Sequence, residues 1–317
     1  MRLALGAVAG PAIGDRMNKP ENAVSSHMLG SRMHKPCNLC GNDRQVELFA
    51  KFGYPIVECA GCKLQFLAWH LTADNLARFY SDGYFTGDTE RKGYLDYAGD
   101  GDNLRQTFRA KFERLPQGQK PGRLLDVGAA MGFFLEVAAA AGWQATGLEV
   151  SSYAARQACD RGLNVVCGSS LDVFSGQSFD LVTMWDVIEH LNDPAQTLRQ
   201  IAGLLAPGGR LVVSTGDTSH PFTRMLGRHA RIYAPPQHLF FFSRRTLSMM
   251  LESCGFKVEG IRQDRKVVTL DYILHIAQSL VDQPALERCV KWLRQVAPKA
   301  SFNLALPDVM VITARKA

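Results

Sequence analysis

The sequence predicts an α/β protein: an open parallel sheet with helices on both faces, preceded by a small four-cysteine module. Three observations carry this. From residue 122 onward, short apolar runs alternate with amphipathic stretches of helical period. A glycine turn, Gly128-Ala129-Ala130-Met131-Gly132, directly follows the first apolar run. Two CxxC pairs, Cys37/Cys40 and Cys59/Cys62, stand 18 residues apart near the start.

Composition narrows the class. With 317 residues, 46% hydrophobic and 21% charged, the chain has ample material for a core and a length suggesting about two domains. Wholesale disorder and a collagen-like repeat are excluded. The longest uncharged stretch near the start, Leu3 to Gly14, covers 12 residues and is too short to span a bilayer. No membrane-embedded role is therefore expected. Charge is uneven: residues 1–36 carry a net +3, residues 37–216 a net −4 and residues 217–317 a net +7. No dense Lys/Arg run occurs, so the basic final third reads as a solvated surface before it reads as a nucleic-acid footprint.

Residues 1–36 hold no sustained period and read as a disordered extension. Met1 to Gly6 faintly imitates a signal peptide, but the reduced cysteine pairs that follow suit the cytosol, so a cytoplasmic protein is expected. Residues 37–70 form the cysteine module. A CxxC turn presents two sulfurs to one metal, and two such turns at this spacing fit a zinc ribbon, with Val46–Phe49 and Lys63–Phe66 as strands. Cys37, Cys40, Cys59 and Cys62 leave no open coordination position, so the Zn2+ is read as structural. The remaining cysteines, Cys159, Cys167, Cys254 and Cys289, have apolar neighbours and read as small core residues. Residues 71–121 are a polar, aromatic connector and a candidate lid, with a helix from Asn103 to Leu115 and a Pro/Gly linker at 116–122.

The core runs from 122 to 317. Arg123–Val127 is a buried strand, and Phe133–Ala141 a helix stopped by Gly142. Trp143–Val150 is a second strand, and a helix capped by Ser151 follows to Asp160. Leu163–Cys167 and Phe179–Trp185 are strands three and four. Asp193 caps a helix with Pro194 at its first position, running to Leu205, and Arg210–Ser214 is strand five. Ser243 caps a helix over Arg244–Cys254, and Phe256–Arg262 and Asp308–Arg315 are later strands. Tyr272–Val281 and Ala285–Val296 read as amphipathic helices that either cover a pocket or form an oligomer surface.

Ligands of such sheets bind at the carboxyl ends of the strands, where the strand order switches. Here those ends carry Asp126, Gly128, Glu149 and Trp185. Glu149 follows Gly128 by 21 residues, and an acid there can accept hydrogen bonds from both hydroxyls of a ribose. The turn lacks the GxGxxG that a pyrophosphate needs, and no P-loop is present. A cofactor with a ribose but no phosphate fits, and S-adenosylmethionine is one.

At this point the chain resembles class I S-adenosylmethionine-dependent methyltransferases. The residues are Leu124 to Gly132, Ser178 to Pro194 (with Trp185-Asp186-Val187-Ile188-Glu189-His190-Leu191) and Leu204 to Leu211. The resemblance implies a Rossmann-like sheet, mostly parallel with an antiparallel last strand. It also implies roles for the cofactor-binding set. Gly128, Ala129 and Gly132 would hold the methionine part, with Asp126 orienting the turn. Glu149 and the adjoining Val150 would face the ribose. Ser169, Ser170 and Leu171 would lie near adenine, with Trp185 beside it. The family's usual Gly-Asp after strand three is Gly168-Ser169-Ser170 here.

Two histidines are candidates for the chemistry. His190 lies just past strand four. The similarity to ubiquinone-pathway O-methyltransferases offers a divalent cation at Asp186, Glu189 and His190, ranked below a purely structural role. His238 lies in Tyr233 to Ser243, within a substrate insertion spanning about 216–242. This stretch resembles a segment of zinc-containing sugar C-methyltransferases in which Gln237 replaces an acid. The expected activity is methyl transfer to carbon or oxygen of a small-molecule acceptor. Ranked behind it are a nucleic-acid methyltransferase using the ribbon for recognition and a non-catalytic partner protein. A homo-oligomer stays open.

Overall fold

A computed structural model describes residues 35–68, 101–115, 120–269 and 301–317, without the side chains of 268–269, 301–304, 306 and 307. The expected extension before residue 35, most of the aromatic connector, the helices at 272–281 and 285–296, and Cys289 lie outside these residues.

The main sheet has seven strands: β4 (Arg123–Val127), β5 (Gln144–Glu149), β6 (Val165–Cys167), β7 (Phe179–Trp185), β8 (Leu205–Gly216), β10 (Phe256–Thr269) and β11 (Ser301–Lys316). Their spatial order is β10-β11-β8-β7-β4-β5-β6. The pairs β4/β5, β4/β7, β5/β6 and β7/β8 are parallel, whereas β11 runs antiparallel to both β8 and β10. Strand order therefore reverses at β4, which puts the switch point between the carboxyl ends of β4 and β7.

Helices cover both faces: α1 (Gly101–Phe112), α2 (Phe133–Ala140), α3 (Ser152–Cys159), α4 (Pro194–Leu204), α5 (Pro221–Leu226) and α6 (Arg244–Ser253). The central strands are buried on both sides, as a parallel sheet between helices requires. Leu125, Val182, Met184, Leu211 and Ile312 pack with Leu198, Ile201, Leu247 and Met250 on one face. Leu124, Leu181, Trp185 and Val212 pack with Phe134, Leu135, Ala138 and, from α1, Phe108 and Phe112 on the other. Local chemistry sets the helix ends. The Asp193 side chain accepts from the Gln196 N–H, with Pro194 in the first turn. Ser243 and Thr246 form a reciprocal capping pair at α6.

The cysteine module is an antiparallel sheet of β1 (Gln45–Lys51), β2 (Tyr54–Cys59) and β3 (Gln65–Leu67). The β1–β2 turn is Phe52-Gly53, both at positive φ (53° and 81°), the geometry of a two-residue hairpin loop. A fourth strand, β9 (Phe240–Phe241), comes from the segment read as a substrate insertion and pairs antiparallel with β3. Module and core thereby share one apolar cluster in which Ile56, Leu64 and Phe66 join Phe240, Phe242 and Leu247. The expectation of four core cysteines needs correction. Cys254 is buried, but Cys159, the last residue of α3, and Cys167, on the edge strand β6, are exposed.

Candidate functional site

Parallel register sets Asp126 on β4 directly opposite Thr183 on β7, and the Thr183 hydroxyl donates to Asp126 Oδ1 at 2.6 Å. Burial raises the Asp126 carboxyl to about 7, and the nearby Glu149 charge adds to this, against the Thr183 bond and the Lys111 charge. The turn that follows is closed on protein. The N–H groups of Gly128 and Ala129 both donate to the Leu148 carbonyl (2.8 and 3.1 Å). Gly128 has φ +77°, and a Cβ there would overlap the Val187 side chain. Gly132, at φ +79°, would place a Cβ 2.5 Å from Leu163 Cδ1. It is the N-cap of α2 and offers no side-chain cap, so the first-turn N–H groups of α2 are left without one.

Glu149, at the end of β5, is buried, and its two oxygens accept from the Ala130 and Ser151 N–H groups, each at 2.7 Å. Burial raises its carboxyl against these bonds. Each oxygen keeps a further lone pair for a ligand hydroxyl. Val150 beside it is exposed, and Ala129 is buried against Gly147. Past β6, Ser169 is exposed, Ser170 caps a short 3-10 turn by accepting from the Asp172 N–H, and Leu171 is buried in the core. The Trp185 ring is enclosed by Phe134 (5.2 Å between centroids), Phe108 (6.2 Å) and the Lys111 ammonium (4.7 Å). Its buried Nε1 has no hydrogen-bond partner among the described residues.

A second cluster lies past β7. Glu189, His190 and His238 bring one ligand-type atom each within 4.8 Å of one another, and the two imidazoles meet edge to face at 4.7 Å. His190 Nδ1 faces the Gln237 carbonyl at 2.9 Å and His238 Nδ1 the Ile232 carbonyl at 2.7 Å. A carbonyl oxygen only accepts, so in the neutral rings Nδ1 carries the proton and Nε2 the lone pair. Burial lowers His238, and burial together with the His238 charge lowers His190 to about 3. Burial and the Asp186 charge raise the Glu189 carboxyl to about 8, and its Oε2 has no partner among the described residues. The third member is His238, and not the Asp186 of the lower-ranked cation reading. Asp186 Oδ1 instead accepts from the Ser214 hydroxyl at 2.7 Å, and Asp186 sits at φ +55°. Asp186 is exposed at its edge, and against the desolvation that the surrounding protein imposes, Lys111, Ser214, Arg231 and Lys266 hold its carboxyl below the usual range.

The four cysteine ligand atoms also fall within 4.8 Å of one another. Cys37 Sγ lies 3.5 Å from Cys62 Sγ, and Cys40 Sγ 3.5 Å from Cys59 Sγ. A tetrahedral zinc with bonds of about 2.3 Å needs sulfurs about 3.8 Å apart, so the donor set matches that ion in kind and spacing. Burial alone would raise the Cys59 thiol, but the N–H groups of Cys62 and Gly61 and the Cys40 side chain bring it down to about 7.

Sequence reasoning missed Lys111. It is buried on α1 and pairs with the equally buried Asp264 at 2.8 Å. Its charge acts on both Asp126 and Asp186. In the run Arg109-Ala110-Lys111-Phe112-Glu113 it reads as one more surface charge, and its partner lies on a distant strand. Asn38, inside the first CxxC turn, was missed for the same reason. It grips the start of α4 through Asp193 and Ala195.

A family model described as a methyltransferase domain matches residues 101–260, half of the chain. A ubiquinone biosynthesis O-methyltransferase of Caulobacter sp. (strain K31) is 34% identical over 123 residues, 35% of this chain and 49% of that protein. One of Saccharophagus degradans is 29% identical over 196 residues, 53% of this chain and 82% of that protein. The chain thus spans about half the length of the Caulobacter relative. Among solved structures, a SAM-dependent methyltransferase of Thermotoga maritima aligns with a TM-score of 0.44 at 20% identity, over 68% of this chain and 91% of the other. One of Archaeoglobus fulgidus gives 0.46 at 18% identity, over 69% and 99%. The matched region runs from α1 into β10 and takes in the glycine turn, Glu149 and the histidine cluster. The chain belongs to the methyltransferase-domain family.

Proposed function

We propose that the chain is an S-adenosylmethionine-dependent methyltransferase that methylates a hydroxyl of a small-molecule acceptor, with a structural zinc in its four-cysteine module. The observation that carries this is the buried Glu149 carboxylate, held by two backbone N–H groups at the carboxyl end of β5 beside the glycine turn. Two features fit the cofactor. The free lone pairs of Glu149 suit the ribose hydroxyls. The α2 N-terminus, without a side-chain cap at Gly132, suits the carboxylate of its methionine part.

When bound, the cofactor supplies a methyl group already activated on a sulfonium. The chain's residues must align an acceptor with it and take up a proton. Alignment alone is worth roughly 7–11 kcal/mol. His238 suits the proton, because its Nδ1 is committed to the Ile232 carbonyl and its lowered basicity keeps Nε2 unprotonated at neutral pH. His190 and Glu189 line the same place. The names of the relatives favour oxygen over carbon as the methylated atom.

Methyl transfer from labelled S-adenosylmethionine to a panel of hydroxylated aromatic acceptors tests this reading. Turnover is expected with at least one, and His238→Ala should lower it by roughly 10²–10⁴-fold. Unchanged turnover in that variant would remove His238 as the base.

A further inference from the structure

Both segments that carry the histidine cluster are fastened to the cysteine module. The first leads from Glu189 and His190 into α4. Asn38, between the two cysteines of the first CxxC turn, donates from Nδ2 to Asp193 Oδ1 (2.8 Å) and accepts at Oδ1 from the Ala195 N–H (3.0 Å). Lys35 Nζ donates to the Asn192 carbonyl at 3.0 Å. Burial alone would raise the Asp193 carboxyl, but the bonds from Asn38 and Gln196, with the Lys35 and Arg199 charges, hold it below its ordinary value.

The second segment is 230–241, around His238. β3 begins just past Cys62 and pairs with β9, matching Gln65 with Phe241 and Phe66 with Phe240. The Leu67 N–H donates to the Leu239 carbonyl at 2.8 Å. The Tyr233 hydroxyl donates to Gln65 Oε1 at 2.8 Å, and its ring meets Phe49 edge-on at 5.0 Å. Lys51 Nζ donates to the Ala230 carbonyl at 3.2 Å. Between the two segments, the Leu239 N–H donates to the Glu189 carbonyl at 2.7 Å. Among the described residues, β9 has no strand partner other than β3.

Among the described residues, the opposite end of the site has no hydrogen bond to the module. Asp126, Glu149 and the glycine turn are held by Thr183, Ala130, Ser151 and Leu148, all within the main sheet and its turns. Loops position reacting groups well only when packed elements support them. For the histidine loops that support is the module.

We propose that the four-cysteine module is a brace for the histidine cluster, with Asn38 as the positioning residue for His190 and β3 as the support for His238. A metal in the module then governs the acceptor half of the site and leaves the cofactor half alone. Calling the cluster an acceptor site rests on the function proposed above; the mechanical coupling does not.

Hydrogen–deuterium exchange on the full chain tests it, with Asn38→Ala and Cys40→Ser as variants. Asn38→Ala keeps all four thiols, and its zinc content is measured as a control. In both variants, exchange across 188–195 should speed up by roughly tenfold or more. In Cys40→Ser the same should hold across 230–241. His190 and His238 should become more reactive toward diethyl pyrocarbonate. Exchange in β4 and β5, and binding of S-adenosylmethionine, should match the unmodified protein. Wild-type exchange at 188–195 and 230–241 while 35–68 loosens would overturn the brace in favour of an independent module. Faster exchange everywhere, β4 and β5 included, would overturn it in favour of simple destabilisation. Failure of the unmodified protein to bind S-adenosylmethionine would sink the proposed function and leave the exchange comparison intact.

Discussion

Replacing Lys111 by Met should unfold this protein far more readily than its surface-like sequence context suggests. The Lys111 ammonium lies 2.8 Å from Asp264 Oδ2, with the two side chains only 8% and 4% exposed. It also lies 4.7 Å from the centre of the Trp185 ring and 5.8 Å from that of Phe108. Lys111→Met leaves the Asp264 carboxylate without its cation in a place water does not reach. Removing one partner of a buried pair costs about 3–5 kcal/mol, against about 0–1 kcal/mol for an exposed pair. Asp264→Leu should cost less than Lys111→Met, because the lysine charge still acts on Asp126 and Asp186. The double variant removes both buried charges and should recover at least about 2 kcal/mol relative to Lys111→Met. Urea unfolding of the four proteins at one pH, read as shifts in midpoint at constant m, measures each quantity. A cost below about 1 kcal/mol for Lys111→Met would refute the reasoning, as would a double variant no better than the sum of the singles.

Three further outcomes follow from the site. Gly128→Ala should destabilise by about 1–2 kcal/mol from its left-handed φ alone, and by more because its Cβ overlaps Val187. Gly128→Ala/Val187→Ala should regain only the overlap part in thermal unfolding, and a neutral Gly128→Ala would count against the tight turn. The pH profile of kcat/KM should have its acid limb below 6.5, because burial lowers His238 and keeps it unprotonated at lower pH than a free imidazole. A limb above 6.5 would contradict a half-buried base whose basicity desolvation lowers. Stability should also fall as pH drops below 6.5. His190, lowered to about 3, stays neutral when folded, so protons bind preferentially to the unfolded chain.

What the sequence made legible were features whose cause is local. The Asp193-Pro194 start of α4, the Ser243 cap of α6 and the Gly142 stop of α2 at φ +89° each follow from one or two residues. β7 is bounded as expected, a run of Leu, Val, Met and aromatic residues buried at every position but Asp180. β2 was missed. Pro55 argues against a strand, and the hairpin turn hides a left-handed Phe52. The last hairpin runs past the expected Arg262 to Thr269, because Gln263-Asp264-Arg265-Lys266 breaks the alternation that would have marked it. Its register shifts between Gln263 and Arg265, beside the Asp264 that pairs with Lys111.

At the candidate site, Glu149 and the glycine turn could be read from spacing, and His190 and His238 from motif likeness. Nothing local foretells that His238 joins Glu189 and His190, or that residues 35–68 contact both histidine loops. Those facts depend on contacts between segments far apart in the chain, and they emerge only when the module's sheet takes in β9.

The account turns on Glu149. Calorimetric titration of S-adenosylmethionine into the zinc-replete full chain, and into Glu149→Ala with its fold checked by circular dichroism, tests it most directly. The predicted result is one-site binding to the unmodified protein, weakened by at least roughly 10²-fold in the variant, since each hydrogen bond to the charged carboxylate is worth about 1.5–3 kcal/mol. Equal affinity for both proteins, or no binding to a well-folded unmodified chain, would contradict the account.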